Sequence, residues 1–293
     1  MKKRLSLILI LVLLILVGGY LYSRRYEHSR DTNLDSFKVS NYEKPPENIE
    51  SIDEDENFFS DLSDKEKIHY KLLNSIDYFK TVEGEIDIFG ISYDNRTVKY
   101  IIDKDNNRSV EYTKSEEKNL KTIYNDFKCI ELNSNDNTYR DLKVLETADT
   151  LEKKNELRKL KPGQRYNPDK SILSRCSLLI DDANMSIFSE SILSEYMMDY
   201  DKWSIEGHET FLERDCTKIV GRRHGTETRS QAESYIALID SETGIVLKYD
   251  ELNSDNKIVN GFETKYIKFD NSYDETIFST STEGYVEKEC KGK

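Results

Sequence analysis

Histidines and carboxylates are the side chains of this sequence that could support acid–base or metal chemistry. Two histidines can bind zinc from one helix face when they are spaced as H-x-x-x-H or H-E-x-x-H. His28, His69, His208 and His224 do not have that spacing. The sequence also lacks the G-x-S-x-G, Walker and G-x-G-x-x-G motifs, and its acidic loops lack calcium-loop spacing. These patterns indicate no catalytic residue, no metal site and no cofactor, so we predict a protein that is not an enzyme.

Four cysteines are the remaining reactive side chains. Cys129, Cys176, Cys216 and Cys290 are separated by 47, 40 and 74 residues. This spacing does not match the paired C-x-x-C of zinc or thioredoxin-type sites. An exported compartment would permit disulfides, but four cysteines allow three pairings and the sequence selects none of them. Structural disulfides and free buried thiols both fit the pattern.

An apolar run near the N-terminus is the strongest single feature of the chain. Residues 5–22 carry no charge and are dominated by Leu, Ile and Val. As a helix the run would be about 27 Å long, close to the thickness of a bilayer core. It is apolar on every face, which argues against an amphipathic core helix. We therefore predict a membrane anchor over residues 1–22, which makes the membrane a partner of the chain.

The charges around this run predict its orientation. Three basic residues precede it, and the arginines that follow it are diluted by acidic residues. The positive-inside rule then predicts a single-pass protein of the cell membrane with a cytoplasmic N-terminus and an extracytoplasmic body. The alternative is a cleaved signal peptide, with Val17 and Gly19 as the small residues before a cut at Tyr20. Both alternatives export the body.

The charge of the body excludes one class of function. Residues 31–293 contain 37 basic and 55 acidic side chains, a net charge of −18. Such a body repels nucleic acid and anionic membrane surfaces, and it has no basic stripe with interleaved aromatics. Residues 23–57 are charged and lack apolar periodicity, so we predict a disordered acidic spacer there. The exported domain is then residues 58–293.

The periodicity of this domain predicts a helix, a set of strands, a helical middle and a second set of strands. Ser63 and Glu66 form a capping-box pattern that begins a helix over 63–79. Alternating residues predict strands at 82–88, 98–102, 110–112, 123–132, 139–144, 203–211, 216–220, 235–239, 245–249 and 258–269. Residues 147–200 are more helical, with an amphipathic stretch over 187–197. The expected fold class is α+β, with a large antiparallel sheet and helices on one of its faces.

Part of the second strand set resembles a known family. Ile239-Asp240, Thr243-Gly244 and Leu247-Lys248, followed by the strand Phe262–Phe269, resemble a hairpin of the LolA/RseB-like superfamily. That superfamily contains periplasmic lipoprotein carriers and envelope-stress sensors of the sigma-E system. The detailed match covers about 70 residues, and its motif makes turns and core. The resemblance implies a half-open antiparallel barrel whose helices cover an apolar cavity.

The resemblance also implies an apolar ligand, such as a lipid or an acyl chain. Candidate cavity-lining residues are Phe89, Trp203, Phe211 and Phe262, which could equally be plain core. We predict a membrane-anchored extracytoplasmic binding or sensor module. An alternative is a regulator of an anti-sigma/sigma system, which would need a membrane anti-sigma partner because about four residues would remain in the cytoplasm. A cell-envelope hydrolase is a further alternative.

Overall fold

The fold is built on a long antiparallel meander, as the alternating residues predict. The computed structural model describes residues 56–91, 94–142, 144, 156–175, 181–189, 192, 196–222 and 232–288, all within one compact unit, Pro45–Lys293. The predicted anchor and the predicted spacer up to residue 55 lie outside the described residues. Among the residues described, no helix is long and apolar enough to cross a bilayer.

Twelve strands in the described part form one sheet. Their bounds are β1 Thr81–Gly90, β2 Arg96–Asp103, β3 Arg108–Ser115, β4 Asn119–Asn125, β5 Lys128–Asn133, β6 Thr138–Leu142, β7 Trp203–Phe211, β8 Arg214–Arg222, β9 Ser234–Asp240, β10 Val246–Leu252, β11 Ile258–Phe269 and β12 Val286–Glu287. The spatial order is β12-β6-β5-β4-β3-β2-β1-β11-β10-β9-β8-β7. Every pair is antiparallel except β12 with β6. The sheet is therefore large, mostly antiparallel and not closed, with β12 and β7 at its edges.

The described helices are few and short. They are α1 Glu56–Ser60, α2 Asp64–Leu73 and α3 Asn184–Ile187, with 3₁₀ turns at Ser75–Tyr78, Pro162–Arg165 and Glu275–Phe278. The predicted helix over 63–79 thus divides at Asn74 into α2 and a 3₁₀ turn. Of the amphipathic stretch predicted over 187–197, Ile187 lies in α3, Ile192 and residues 196–197 are also helical, and residues 190–191 and 193–195 lie outside the described part.

The capping box of α2 forms as the sequence predicts. The Ser63 backbone N–H donates to Glu66 Oε2 at 2.9 Å, and the Glu66 N–H donates to Ser63 Oγ at 3.3 Å. These hydrogen bonds satisfy backbone donors that have no partner inside the helix, and they lower the pKa of Glu66. The helix then buries Leu72 and Leu73 against the sheet.

The turn that carries the family resemblance connects α2 to the sheet. Asp240 Oδ1 accepts the Thr243 N–H at 2.7 Å and the Thr243 hydroxyl at 2.8 Å, while Arg214 pairs with the same carboxylate. Gly244 has φ +73°, and a Cβ there would lie 2.5 Å from the Lys71 carbonyl carbon. The glycine therefore permits both a left-handed turn and close contact with α2. These residues build structure, as the sequence indicated.

Alternation along β1 defines the two faces of the sheet. Val82, Ile86 and Ile88 are buried in the main core, whereas the acidic residues that alternate with them, Glu83, Glu85 and Asp87, are half-buried. We call the face that carries these three residues the core face, and α2 and α3 contribute residues to the same core.

The opposite face is also partly covered, which the sequence did not predict. Phe278, in the 3₁₀ turn of the tail after Asn271, is completely buried. Arg108 on β3 lies 4.3 Å from the centroid of the Phe278 ring and pairs with Glu275. The tail then adds β12 beside β6. The C-terminal segment is therefore part of the folded body.

Candidate functional site: an aromatic core face

A row of aromatic rings crosses the core face. Tyr196 contacts Tyr235 on β9, Tyr235 contacts Tyr249 on β10, and Tyr249 contacts Phe262 on β11. The ring centroids are 5.0, 5.9 and 6.0 Å apart, with interplanar angles of 30–36°. These separations are within the range of favourable aromatic pairs. The row, which we call the aromatic ladder, places a broad apolar surface across three adjacent strands.

The four predicted lining residues do not all lie on this face. Phe262 belongs to the ladder, and Trp203 on β7 is buried in the same core. Phe211, at the other end of β7, is half-buried and packs against that core. Phe89 alternates with Ile88 on β1 and covers Gly261 of β11 on the opposite face. The structure thus brings Trp203, Phe211 and Phe262 to the main core, and it places Phe89 over Gly261 on the face opposite the ladder.

Trp203 is held by contacts from α2 and from the segment before β7. Its Nε1 donates to the Met197 carbonyl at 3.3 Å, and its ring centroid lies 5.9 Å from that of Tyr200. The Lys65 ammonium lies 5.0 Å from the ring and donates to the Tyr200 and Trp203 carbonyls at 2.5 Å. The indole is therefore fixed by hydrogen-bonding and cation–π contacts.

Residues 181–189 cover the core face, and we call them the cover. Ala183, Ile187 and Phe188 are buried in the main core. Two serines attach the cover to its neighbours: Ser186 Oγ donates to the Val246 carbonyl at 2.8 Å, and Ser75 Oγ donates to the Ile187 carbonyl at 2.6 Å. A molecule could reach the ladder from this side only if the cover moved.

A buried carboxyl group meets the start of the cover. Glu111 on β3 is 3% exposed. It accepts the N–H of Asp182 at 3.2 Å and that of Ala183 at 3.0 Å. Burial and the charge of the adjacent Asp182 raise the pKa of Glu111 to about 7, although the two hydrogen bonds oppose this shift. Glu111 was not among the predicted site residues, because a single Glu in an alternating strand gives no signal of burial.

His69 on α2 forms a second buried polar centre. Its Nδ1 lies 3.0 Å from the Tyr200 hydroxyl and its Nε2 lies 2.8 Å from the Tyr166 hydroxyl. Burial, together with the nearby Arg165 charge, lowers the pKa of His69 to about 3. The imidazole is therefore neutral at physiological pH, and it joins α2 to two separate segments.

The described cleft beside α2 is small. Its volume is about 220 Å³, the space of roughly seven water molecules. It is lined by Phe59, Lys67, Ile68, Lys71, Thr217, Ile239, Asp240 and Ser241. Lys71 Nζ already donates to the Ser241 carbonyl at 2.7 Å. The cleft is too small for a whole lipid, so the aromatic ladder is the stronger candidate surface.

Three further reactive side chains, two cysteines and a histidine, lie within the described residues. Cys129 and Cys216 are free, buried thiols, and burial raises the pKa of each to about 11. His208 is exposed on β7, with its Nδ1 3.7 Å from Asp215 Oδ2. Within the described ranges, no three His, Cys, Asp or Glu residues are grouped as metal ligands. His28, His224, Cys176 and Cys290 lie outside those ranges.

Comparisons with known proteins gave structural neighbours only. No protein-family model matches the chain, and a search of curated proteins found no match. A Pseudomonas aeruginosa MucA/MucB complex matches with 11% identity and a TM-score of 0.40, and the match covers 75% of this chain and 62% of that chain. Mycobacterium tuberculosis lipoprotein LppX matches at 10% identity, 72% and 100% coverage and a TM-score of 0.39. A Nitrosomonas europaea LolA superfamily protein matches at 8% identity, 71% and 96% coverage and a TM-score of 0.26.

The printed names of these neighbours include MucB and the LolA superfamily. Identities of 8–11% and TM-scores below 0.5 describe a likeness of fold. The ligand and the partner of this chain are therefore argued from its own residues.

Proposed function

We propose that this chain is a non-enzymatic, membrane-anchored extracytoplasmic binding module. Its ligand is an apolar molecule, such as a lipid or an acyl chain, held on the core face of a half-open barrel. The aromatic ladder is the observation that carries the proposal, because it offers a continuous apolar surface across β9, β10 and β11. A partner protein that inserts an apolar segment would use the same face.

The openness of the sheet supports this proposal. A closed barrel has no edges, whereas β7 and β12 end this sheet within the described part. Within the described residues, the core face is covered by separate short segments, including the cover. Replacing such a segment with a ligand would keep the apolar side chains out of water.

The anchor would restrict where the module works. We propose that residues 5–22 span the cell membrane once, with the N-terminus in the cytoplasm and the body outside. A spacer of residues 23–57, fully extended at about 3.3 Å per residue, reaches roughly 115 Å at most. The module would then bind its ligand at its own membrane and would not shuttle between membranes. Local sensing or hand-off fits this restriction better than transport.

Lipid capture tests the proposal. Residues 45–293 would be exported from a bacterial host, purified without detergent and extracted for lipid mass spectrometry. Phe211→Asp places a charge against the main core, and Phe89→Asp is the matched change away from it, over Gly261 on the face opposite the ladder. We expect lipid with the parent chain and Phe89→Asp, and several-fold less with Phe211→Asp. Parent protein that is folded but free of lipid contradicts the lipid proposal, and equal loss in both variants contradicts the assignment of the face.

A further inference from the structure

The cover meets the sheet at a cluster of charged groups on its first residues. Asp182 accepts from Arg96 on β2, with Nε at 2.7 Å and Nη2 at 2.5 Å. Both side chains of this ion pair are less than one-fifth exposed. Glu111 accepts two backbone N–H groups directly beside this pair. Arg96 and Asp182 are 86 residues apart in the sequence. The cluster therefore joins β2, β3 and the cover at one place.

The charges of this cluster do not balance. Among the described residues, the charged groups that act on Glu111 are Asp181 and Asp182 of the cover, and Arg96 faces Asp182 from β2. Tyr100, directly opposite Glu111 on β2, is a buried phenol whose pKa is raised by burial. Asp94 also acts on Arg96, so four carboxyl groups share one guanidinium. Like charges that are close together and partly buried favour protonation of one carboxyl group.

We propose that Glu111, Asp182 and Arg96 form a proton-operated latch that closes the cover over the aromatic ladder in mildly acidic surroundings and loosens it as the pH rises. This inference deepens the proposed function and rests on it, since the latch would control access to the same face. We place the proton on Glu111, because Asp182 forms the ion pair with Arg96.

The direction follows from proton linkage. In the closed state Glu111 is buried and keeps its proton up to about pH 7. In an open state the carboxyl group would be hydrated and would lose its proton near its ordinary value of 4.5. Between these values the closed state binds more protons, so a fall in pH favours closure. From pH 5.5 to pH 8 the closed-to-open ratio should fall by about 30-fold.

Hydrogen exchange of the cover measures this ratio. Residues 45–293, which contain every described contact, would be exchanged at several pH values between 5.5 and 8. Protection of peptides from 181–189 would be corrected for the intrinsic exchange rate at each pH. We expect the protection factor to fall about 30-fold over this range. A protection factor that is constant, or that rises with pH, overturns the proposal.

Two variants assign the effect to Glu111. Glu111→Gln cannot titrate, so the protection of the cover should lose its pH dependence. Glu131→Gln is the matched control, since Glu131 lies on the same sheet face two strands away and should keep the wild-type profile. Asp182→Asn removes the nearest carboxylate and should narrow the pH range over which the protection of the cover changes. This variant provides a test if Glu111→Gln does not fold. Identical profiles in Glu111→Gln and wild type exclude the latch.

Exchange and lipid capture can fail separately. The exchange experiment contains no added ligand, so a pH-dependent cover with no co-purified lipid would leave the latch intact and refute the binding function. Lipid capture with a cover whose protection ignores pH would keep the binding function and refute the latch.

Discussion

His69 and Glu111 should make opposite contributions to stability as the pH changes. His69 is 1% exposed and its pKa falls from 6.5 to about 3 on folding. Between these values the unfolded chain binds the proton and the folded chain does not, so acidification destabilises the fold. Glu111 has a folded pKa of about 7 against an ordinary 4.5. Between these values the folded chain holds the extra proton, so acidification stabilises the fold.

The two magnitudes are similar. From pH 7.5 to pH 5, the His69 contribution should lower the free energy of unfolding by about 2 kcal/mol, and the Glu111 contribution should raise it by about 2 kcal/mol. Their sum in the wild type should therefore be close to zero. His69→Gln should expose the Glu111 effect, because an amide keeps hydrogen-bonding groups near Tyr166 and Tyr200 without titrating.

Urea unfolding of residues 45–293 at pH 7.5 and pH 5 provides the assay. When the pH falls from 7.5 to 5, the free energy of unfolding of His69→Gln should rise by about 2 kcal/mol relative to that of wild type. Over the same pH change, the free energy of unfolding of Glu111→Gln should fall by about 2 kcal/mol relative to that of wild type. Comparing variants cancels the titration of the other groups. The same pH dependence in His69→Gln and wild type would refute a neutral, buried His69.

Three further predictions concern the fold. Phe278→Ala should destabilise the protein by about 3–5 kcal/mol in urea unfolding, because the ring is completely buried. Phe127→Ala is the control: its side chain is 59% exposed, so stability should change by less than about 0.5 kcal/mol. Gly244→Ala should lower the melting temperature more than Gly284→Ala, because both have positive φ but only at Gly244 would a Cβ meet other atoms within 4 Å. Tyr235→Phe should be neutral or stabilising by up to about 1 kcal/mol, because its buried hydroxyl has no hydrogen-bond partner; a loss above about 1 kcal/mol would show that the hydroxyl is bonded.

Alternation and turn residues predicted most of the sheet. The strands of the second set lie within three residues of their predicted positions, because period-two burial and Asn- or Asp-rich turns are local signals. The predicted run over 123–132 divides into β4 and β5 at Asp126 and Phe127, whose φ angles are 49° and 61°. Asn125-Asp126 is a turn signal in the sequence, and the structure places the turn there, with the phenylalanine in a left-handed conformation that is unusual for its type.

Long-range contacts account for what the sequence could not predict. The ladder joins residues of the middle segment to β9, β10 and β11, and no local period shows which aromatics meet. Burial of Phe278 depends on its pairing with β3 and β4 residues more than 150 positions away. The alternation along β3 fits an exposed Glu111 as well as a buried one. Only the tertiary structure places the cover over this side chain.

Photo-crosslinking from the two faces tests the proposed function most directly. A photoreactive phenylalanine would replace Phe211, which packs against the core, or Phe89, which lies on the opposite face. Both side chains are half-buried, so the two positions are matched. The full-length chain would be irradiated in its native membrane and examined for lipid adducts. We predict lipid adducts at position 211 and several-fold fewer at position 89. Equal yields at both positions, or none at position 211, would contradict binding of an apolar ligand at the core face.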